Sequence, residues 1–215
     1  MLVLVIDTSG PDCGAGIYDS SARRLAGGRS ETIGKGHAER LPQMVVDACR
    51  QAGTELKDIA RIAVTVGPGS FTGIRVGVAM ARGLALALGV PVVGVTTLQV
   101  VAAPHLGEAD HVLALIDARR EELYAQLFDR HGNAASAPAA LSFEEARALG
   151  ARNDAFMVGS GAAILQGAPS PQIDAMPLDL IGHIGAGLDP STPARPLYIR
   201  GADAKPQMHF AVEHA

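Results

Sequence analysis

No tryptophan occurs in this chain, and aromatic residues make up only 4% of it. A core without large rings must be built from Ala, Val and Leu, so helices can lie close against a Val- and Ile-rich sheet. Lysine is almost as scarce: Lys35, Lys57 and Lys205 are the only ones, and the net charge is −4. Gripping nucleic acid unaided needs clustered Lys and Arg to neutralise phosphates, so that class is excluded for the chain by itself. Cys13 and Cys49 fall in different elements with no CxxC spacing. This excludes a disulfide framework and predicts reduced thiols in a cytoplasmic protein. The run MLVLVIDTSG has no charged leader and its apolar part stops at Asp7, unlike a signal peptide. The longest apolar stretch, 74–95, is interrupted by Arg75, Arg82 and Pro91, which speaks against a membrane span.

Catalytic spacings are missing as well. His37, His105, His111, His131, His183, His209 and His214 form neither HExxH nor HxxxH, and each reads as a surface or capping residue. No metal set and no catalytic residue is assigned. What the chain does have is IAVTVGPGSFTG at 62–73, running into IRVGVAMARGLALALG and then PVVGVTTL. An apolar β-branched run, a glycine loop and a small-residue helix make a strand–loop–helix unit. The loop is not a P-loop, because no Lys follows Gly73. It misses GxGxxG by one position, and Ser70 is not in a GxSxG elbow. Two readings stay open for Gly67, Gly69 and Ser70. One is an anion site at a helix N-terminus, capped by Ser70 or Thr72; the other is a structural tight turn.

Residues 2–7 read as a buried strand, with 14–19 as its hairpin partner. In 37–52, Leu41, Met44, Val45, Ala48, Cys49 and Ala52 recur at helical spacing, with Gly53 as the stop. A strand at 62–66, a helix at about 70–88 and the strand VPVVGVTT follow. The helix carries Gly73, Gly77, Ala81 and Ala85 at four-residue spacing. Each helical glycine costs about 1 kcal/mol relative to Ala, so something must come close to that face. It is either the chain's own sheet or a helix of another chain.

The second half echoes the first. Asp7 and Asp19 are twelve positions apart, as are Asp117 and Asp129, and MVGSGAAIL at 157–165 repeats the logic of TVGPGSFTGI. The reading is an α/β chain of two lobes from one plan: an N-terminal lobe over 1–103, with a hairpin, two helices and the strand–loop–helix unit, and a smaller one over 104–215. The smaller lobe contains a helix at 142–149 with Ser142 and Glu145 as a capping box, a short helix near 179–188 and an extended piece at 196–207.

Asp7, Thr8 and Ser9 at the tip of the first strand resemble the phosphate turn of the actin, sugar-kinase and heat-shock ATPase superfamily. Here the turn is longer, holds Pro11 and has no Gly directly after Asp7, so it reads as a vestige. More specifically, IDTSG, GHAERLPQMV, VGPGSFTGIRVGVAMARGLA, GVPVVGVTTL, IDARREELYAQLF and PLYIR resemble the TsaB (YeaZ) family. The resemblance covers nearly the whole chain and is loosest at its C-terminal part.

The resemblance implies a duplicated two-lobe actin-like ATPase fold, ribonuclease H-like in each lobe, with a reduced second lobe. It implies a non-catalytic protein that pairs with TsaD in tRNA threonylcarbamoyladenosine biosynthesis and supports its transfer of threonylcarbamoyl to adenosine beside the anticodon. A TsaC-type synthase would supply the adenylate and TsaE the ATP hydrolysis. The chain would form homodimers when alone and meet tRNA only indirectly. TsaD's metal-binding histidines would fall on Thr97 and Val101. The partner face would comprise Leu41, Met44, Val45, Ala48, Cys49, Gly73, Val76, Gly77 and Ala81. No cofactor is implied, save a nucleotide held weakly or at the partner interface. The alternative is a weak ATP-binding, kinase-like enzyme using Asp7 and the Gly67–Gly69 turn; a metallo-glycoprotease would need a metal set that the sequence does not offer.

Overall fold

The computed structural model describes residues 1–169 and 173–200. The chain opens with β1 (Leu2–Asp7), β2 (Asp12–Asp19) and β3 (Arg24–Thr32), an antiparallel meander. Helix α1 (His37–Ala52) crosses to β4 (Arg61–Gly67), which pairs parallel with β1. Helix α2 (Phe71–Leu88) leads to β5 (Val92–Thr96), parallel to β4. The resulting five-stranded sheet has the order β3-β2-β1-β4-β5.

After α3 (Thr97–Ala102) the pattern repeats. Strands β6 (His111–Asp117), β7 (Glu122–Asp129) and β8 (Ala139–Ser142) form a second meander, and α4 (Phe143–Arg152) crosses to β9 (Phe156–Val158), parallel to β6. Its order, β8-β7-β6-β9, matches the first sheet with the fifth strand missing. Helix α5 (Ser160–Leu165) stands where α2 stands in the first lobe, and α6 (Leu178–Gly187) follows. The duplicated, reduced plan expected from the aspartate spacing is present: Leu2 pairs with Asp19 and His111 with Asp129.

The two-residue strand period divides the core. Leu4, Ile6, Ile62 and Val64 face α1 and α2 in one cluster, while Val3, Val5, Ala63, Val93 and Val95 face α6 in another. A strand buried on both faces reads as a continuous apolar run, as LVLVI does. The lobes also exchange helices. α3 covers the second sheet, packing Leu98, Val101 and Ala102 against Val112, Ala114 and Phe128. Conversely, α6, beyond the second sheet in sequence, packs Leu178 and Ile181 on the first.

Helix α6 reaches its place partly through Arg61. This buried side chain donates from Nη1 to the carbonyls of Gly185, Ala186 and Leu188 at 2.9, 3.0 and 2.7 Å, taking up acceptors that the helix end leaves unpaired. Three elements differ from the sequence reading. Strand β3, the edge of the sheet, was not expected, nor was β8 or α3. Of the extended piece at 196–207, residues 201–207 lie outside the described residues. His37, expected as a surface or capping residue, opens α1 and is buried, its Nε2 3.0 Å from the Asp12 carbonyl.

By length and composition α2 is apolar enough to cross a membrane. In the fold it lies on β4 and β1, with Gly73, Ile74, Gly77, Val78, Ala81 and Ala85 turned inward. Replacing Arg61 with Leu should destabilise the fold by about 2 kcal/mol, the scale of charge-assisted hydrogen bonds lost at buried carbonyls. Urea unfolding gives the magnitude, and amide exchange should show α6 opening before the β1–β4 core; equal protection in the two would contradict this role.

Candidate functional site

Parallel pairing of β1 and β4 brings Asp7 and Thr65 side by side at the ends of their strands. The Asp7 side chain is 1% exposed, and its Oδ1 accepts from Ser9 N at 3.1 Å, Ser9 Oγ at 2.6 Å and Thr65 Oγ1 at 2.6 Å. Burial nevertheless lifts its pKa above the ordinary carboxylate value, outweighing the downward pull of these donors.

The next residue is wedged against α2. Thr8 Oγ1 donates to the Gly73 carbonyl at 2.7 Å, and a Cβ on Gly73 or Gly77 would collide with Thr8 itself. Gly69 likewise lies against the Ser9 carbonyl, which accepts from Ser70 N at 2.7 Å. Ser70 is the N-cap of α2, its Oγ accepting from Gly73 N at 3.2 Å. Asp7, Thr8, Ser9, Gly67, Gly69 and Ser70, which the sequence offered as one vestigial phosphate turn, therefore do meet. They meet by satisfying one another: the Ser9 carbonyl and the Ser70 hydroxyl take N–H groups that an anion at this helix start would use. Of the two caps considered, Ser70 is the one used.

Thr97 and Val101, where the resemblance would place a partner's metal-binding histidines, are also engaged internally. Thr97 is buried and donates from Oγ1 to the Pro68 carbonyl at 2.7 Å, and Val101 packs in the core with no donor atom to offer. This pair does not fit a metal. Among the described residues no three His, Cys, Asp or Glu side chains gather as a metal set.

The second lobe has its own version of the turn. Asp117 N donates to Ser160 Oγ at 2.9 Å, and Ser160 donates in turn to Asp174, from N at 2.7 Å and from Oγ at 2.5 Å. Burial raises the Asp174 pKa. Burial also pushes the Cys13 thiol up to about 11 and raises that of Cys49, so neither is a ready thiolate at neutral pH.

The partner-face residues need correction as a surface. Leu41, Met44, Val45, Ala48, Cys49 and Ala81 are buried in the first-lobe core, together with Gly73 and Gly77; Val76 is half-buried. An amphipathic helix turns its apolar stripe toward its own sheet, and the glycines admit Thr8 rather than a neighbouring chain. The outer faces are different residues: Pro42 and Val46 on α1, and Phe71, Arg75, Ala79, Arg82 and Leu86 on α2. Val46 is 47%, Phe71 48% and Leu86 87% exposed. Sequence reading missed them because they interrupt the periodic stripe rather than form it.

The topology defines a duplicated, actin-like two-lobe protein whose Asp7–Ser9 turn is interlocked with the start of α2. The family model described as TsaD, tRNA N6-adenosine threonylcarbamoyltransferase, matches residues 22–174. The Escherichia coli protein named tRNA threonylcarbamoyladenosine biosynthesis protein TsaB is 38% identical over 135 residues, 62% of this chain and 57% of that protein. The chain thus matches little more than half the length of that curated relative. An uncharacterized Mycobacterium tuberculosis protein is 33% identical over 208 residues, 95% of this chain and 94% of its own. The solved structure of YeaZ from Pseudomonas aeruginosa superimposes with a TM-score of 0.71 at 31% identity, covering 92% of this chain and 99% of that one. The chain belongs to the family this model describes and, by its full-length likeness to YeaZ, to the TsaB (YeaZ) proteins within it.

An Asp7→Asn substitution keeps an oxygen for the donors of Ser9 and Thr65 while removing a buried charge. Because the folded carboxyl holds its proton to higher pH than the unfolded one, wild-type stability falls as pH rises above the ordinary carboxylate range. The variant lacks that loss, so its stability should gain on that of the wild type as pH rises from 4 to 7, the gap closing toward pH 4. Urea denaturation across this range checks it; a less stable variant with a pH-independent gap would contradict it.

Proposed function

We propose that the chain is a non-catalytic scaffold in tRNA threonylcarbamoyladenosine biosynthesis. It docks on a TsaD-type enzyme, which transfers threonylcarbamoyl from its adenylate to the adenosine next to the anticodon in tRNAs reading ANN codons. TsaE joins the complex, the chain pairs with itself when alone, and tRNA is met through the partner. It works in the cytoplasm and needs no cofactor of its own. Family membership supports the pathway, since the E. coli relative carries that name. The self-satisfied Asp7–Ser9 and Gly67–Ser70 segments support the absence of phosphoryl chemistry.

The observation that carries the docking reading is the outer surface of α1 and α2. Val46, Phe71 and Leu86, large apolar side chains with substantial exposure, lie on these two helices, which sit side by side on the sheet. Exposed apolar side chains and arginines gathered on one face are the composition of an interface core rather than of free surface. Two alternatives, Val45→Glu and Gly77→Leu, would test folding instead of docking, because both positions are internal.

Val46→Glu and Leu86→Glu change only exposed positions and should leave stability within about 0.5 kcal/mol of wild type. Each should weaken binding to a purified TsaD-type partner by roughly tenfold or more, measured by calorimetry. Undiminished affinity in the double variant, with modification activity intact, would refute this docking face.

A further inference from the structure

The segment between Pro193 and Arg200 touches both lobes in succession. Beside β5, the Pro193 carbonyl and Ala194 lie so close to Gly94 that a Cβ there would meet them, and Ala194 enters the first-lobe core. Leu197 N then donates to the Val66 carbonyl at 2.8 Å, next to the Gly67–Ser70 loop, while its side chain packs on the same core. Tyr198 accepts through its hydroxyl from Arg75 Nε at 2.8 Å, and the Arg75 guanidinium lies 3.6 Å from the centre of the Phe71 ring, on the first turn of α2.

One residue further the segment changes lobes. Ile199 packs with the cluster of Leu98, Val101, Val112 and Phe128 that lies between α3 and the second sheet. Arg200 ends the crossing at the β6–β7 turn. Its Nη1 donates to the Ala118 carbonyl at 2.9 Å and its Nη2 to the Arg119 carbonyl at 3.3 Å, with the Glu122 carboxylate as ion partner. The Tyr124 ring stands 5.6 Å from the guanidinium. Ala118 directly follows Asp117 in the chain.

We propose that Pro193–Arg200 is a clasp drawn across the cleft between the lobes, joining the glycine loop of the first to the Asp117 turn of the second, with Arg200 as its latch. The physical case is the alternation of anchors. The first-lobe anchors are a backbone bond, two core side chains and an aromatic–arginine stack. The second-lobe anchors are one apolar side chain and a forked guanidinium on two carbonyls. An Arg makes several directed bonds from one planar group, so among the described residues the polar hold of this segment on the second lobe is concentrated at Arg200. Releasing it leaves Ile199 as the remaining second-lobe anchor among the described residues, while the first-lobe anchors stay seated. The helix exchange through α3 and α6 keeps the lobes joined, and the clasp sets how far they part.

The test uses the full chain with spin labels at Lys57→Cys in the first lobe and Ala148→Cys in the second, both exposed positions; the native Cys13 and Cys49 are buried. With Arg200 present, the inter-label distance distribution should be narrow. In Arg200→Ala it should broaden or shift outward. Arg200→Lys, which keeps the charge near Glu122 but loses the fork to the carbonyls, should do the same to a lesser degree. Amide exchange gives a second reading: the Leu197 amide should exchange on the order of tenfold faster in Arg200→Ala, while the amides of β1 and β4 keep their protection. An unchanged distance distribution would overturn the proposal. So would exchange that accelerates equally throughout both sheets, since Arg200 would then support stability in general and latch nothing.

Discussion

The contact between Thr8 and the glycine face of α2 governs the rest of the first lobe. With no side chain at Gly73 or Gly77, the helix can descend until the Thr8 hydroxyl bonds the Gly73 carbonyl. That approach presses the Ser9 carbonyl onto Ser70 N and leaves Asp7 buried between Ser9 and Thr65. Two of the backbone N–H groups at the start of α2 are already paired here, Ser70 N with the Ser9 carbonyl and Gly73 N with Ser70 Oγ. The glycines cost helix stability, and the close approach they permit is what closes the turn.

Beyond this corner, the two lobes are tied by exchange. α3 completes the core of the second sheet and α6 covers the first, held there by Arg61 at its C-terminal carbonyls. Neither lobe has both faces covered by its own helices, so the packing of one depends on the other. This also explains how a four-stranded second lobe with short elements keeps a buried core: Val112, Ala114 and Phe128 rest on a helix that the first lobe contributes. What remains outward on α1 and α2 is the mixture of Val46, Phe71, Arg75 and Leu86, of which Phe71 and Arg75 are met by Tyr198 from the chain's own C-terminal segment.

Much of this was legible in the residues. The β1 and β4 runs announce strands buried on both faces, the equal Asp7–Asp19 and Asp117–Asp129 spacings mark two equivalent hairpins, and Ser142 with Glu145 forms the capping box their order implies. Strand β3 was not legible, because RLAGGRSET is an edge strand whose exposed polar residues and glycines carry no two-residue alternation. α3 escaped for a different reason: six residues are too few to display a helical period. The burial of the expected partner-face residues was hidden by a more general ambiguity. A stripe such as Leu41, Met44, Val45 and Ala48 shows that one helix face is covered, but not whether the cover is the chain's own sheet. Only the packing, with Leu4, Ile6 and Ile17 against that stripe, decides it. The glycine stripe was open in the same way until Thr8 was seen to fill it.

Calorimetric titration of the purified chain with ATP and magnesium tests most directly the proposal that this corner holds no phosphate. Heats of dilution without saturation up to millimolar nucleotide, and no release of phosphate, are the predicted result. Saturable micromolar binding abolished by Asp7→Ala, accompanied by turnover, would contradict the account and restore a working nucleotide site to this fold.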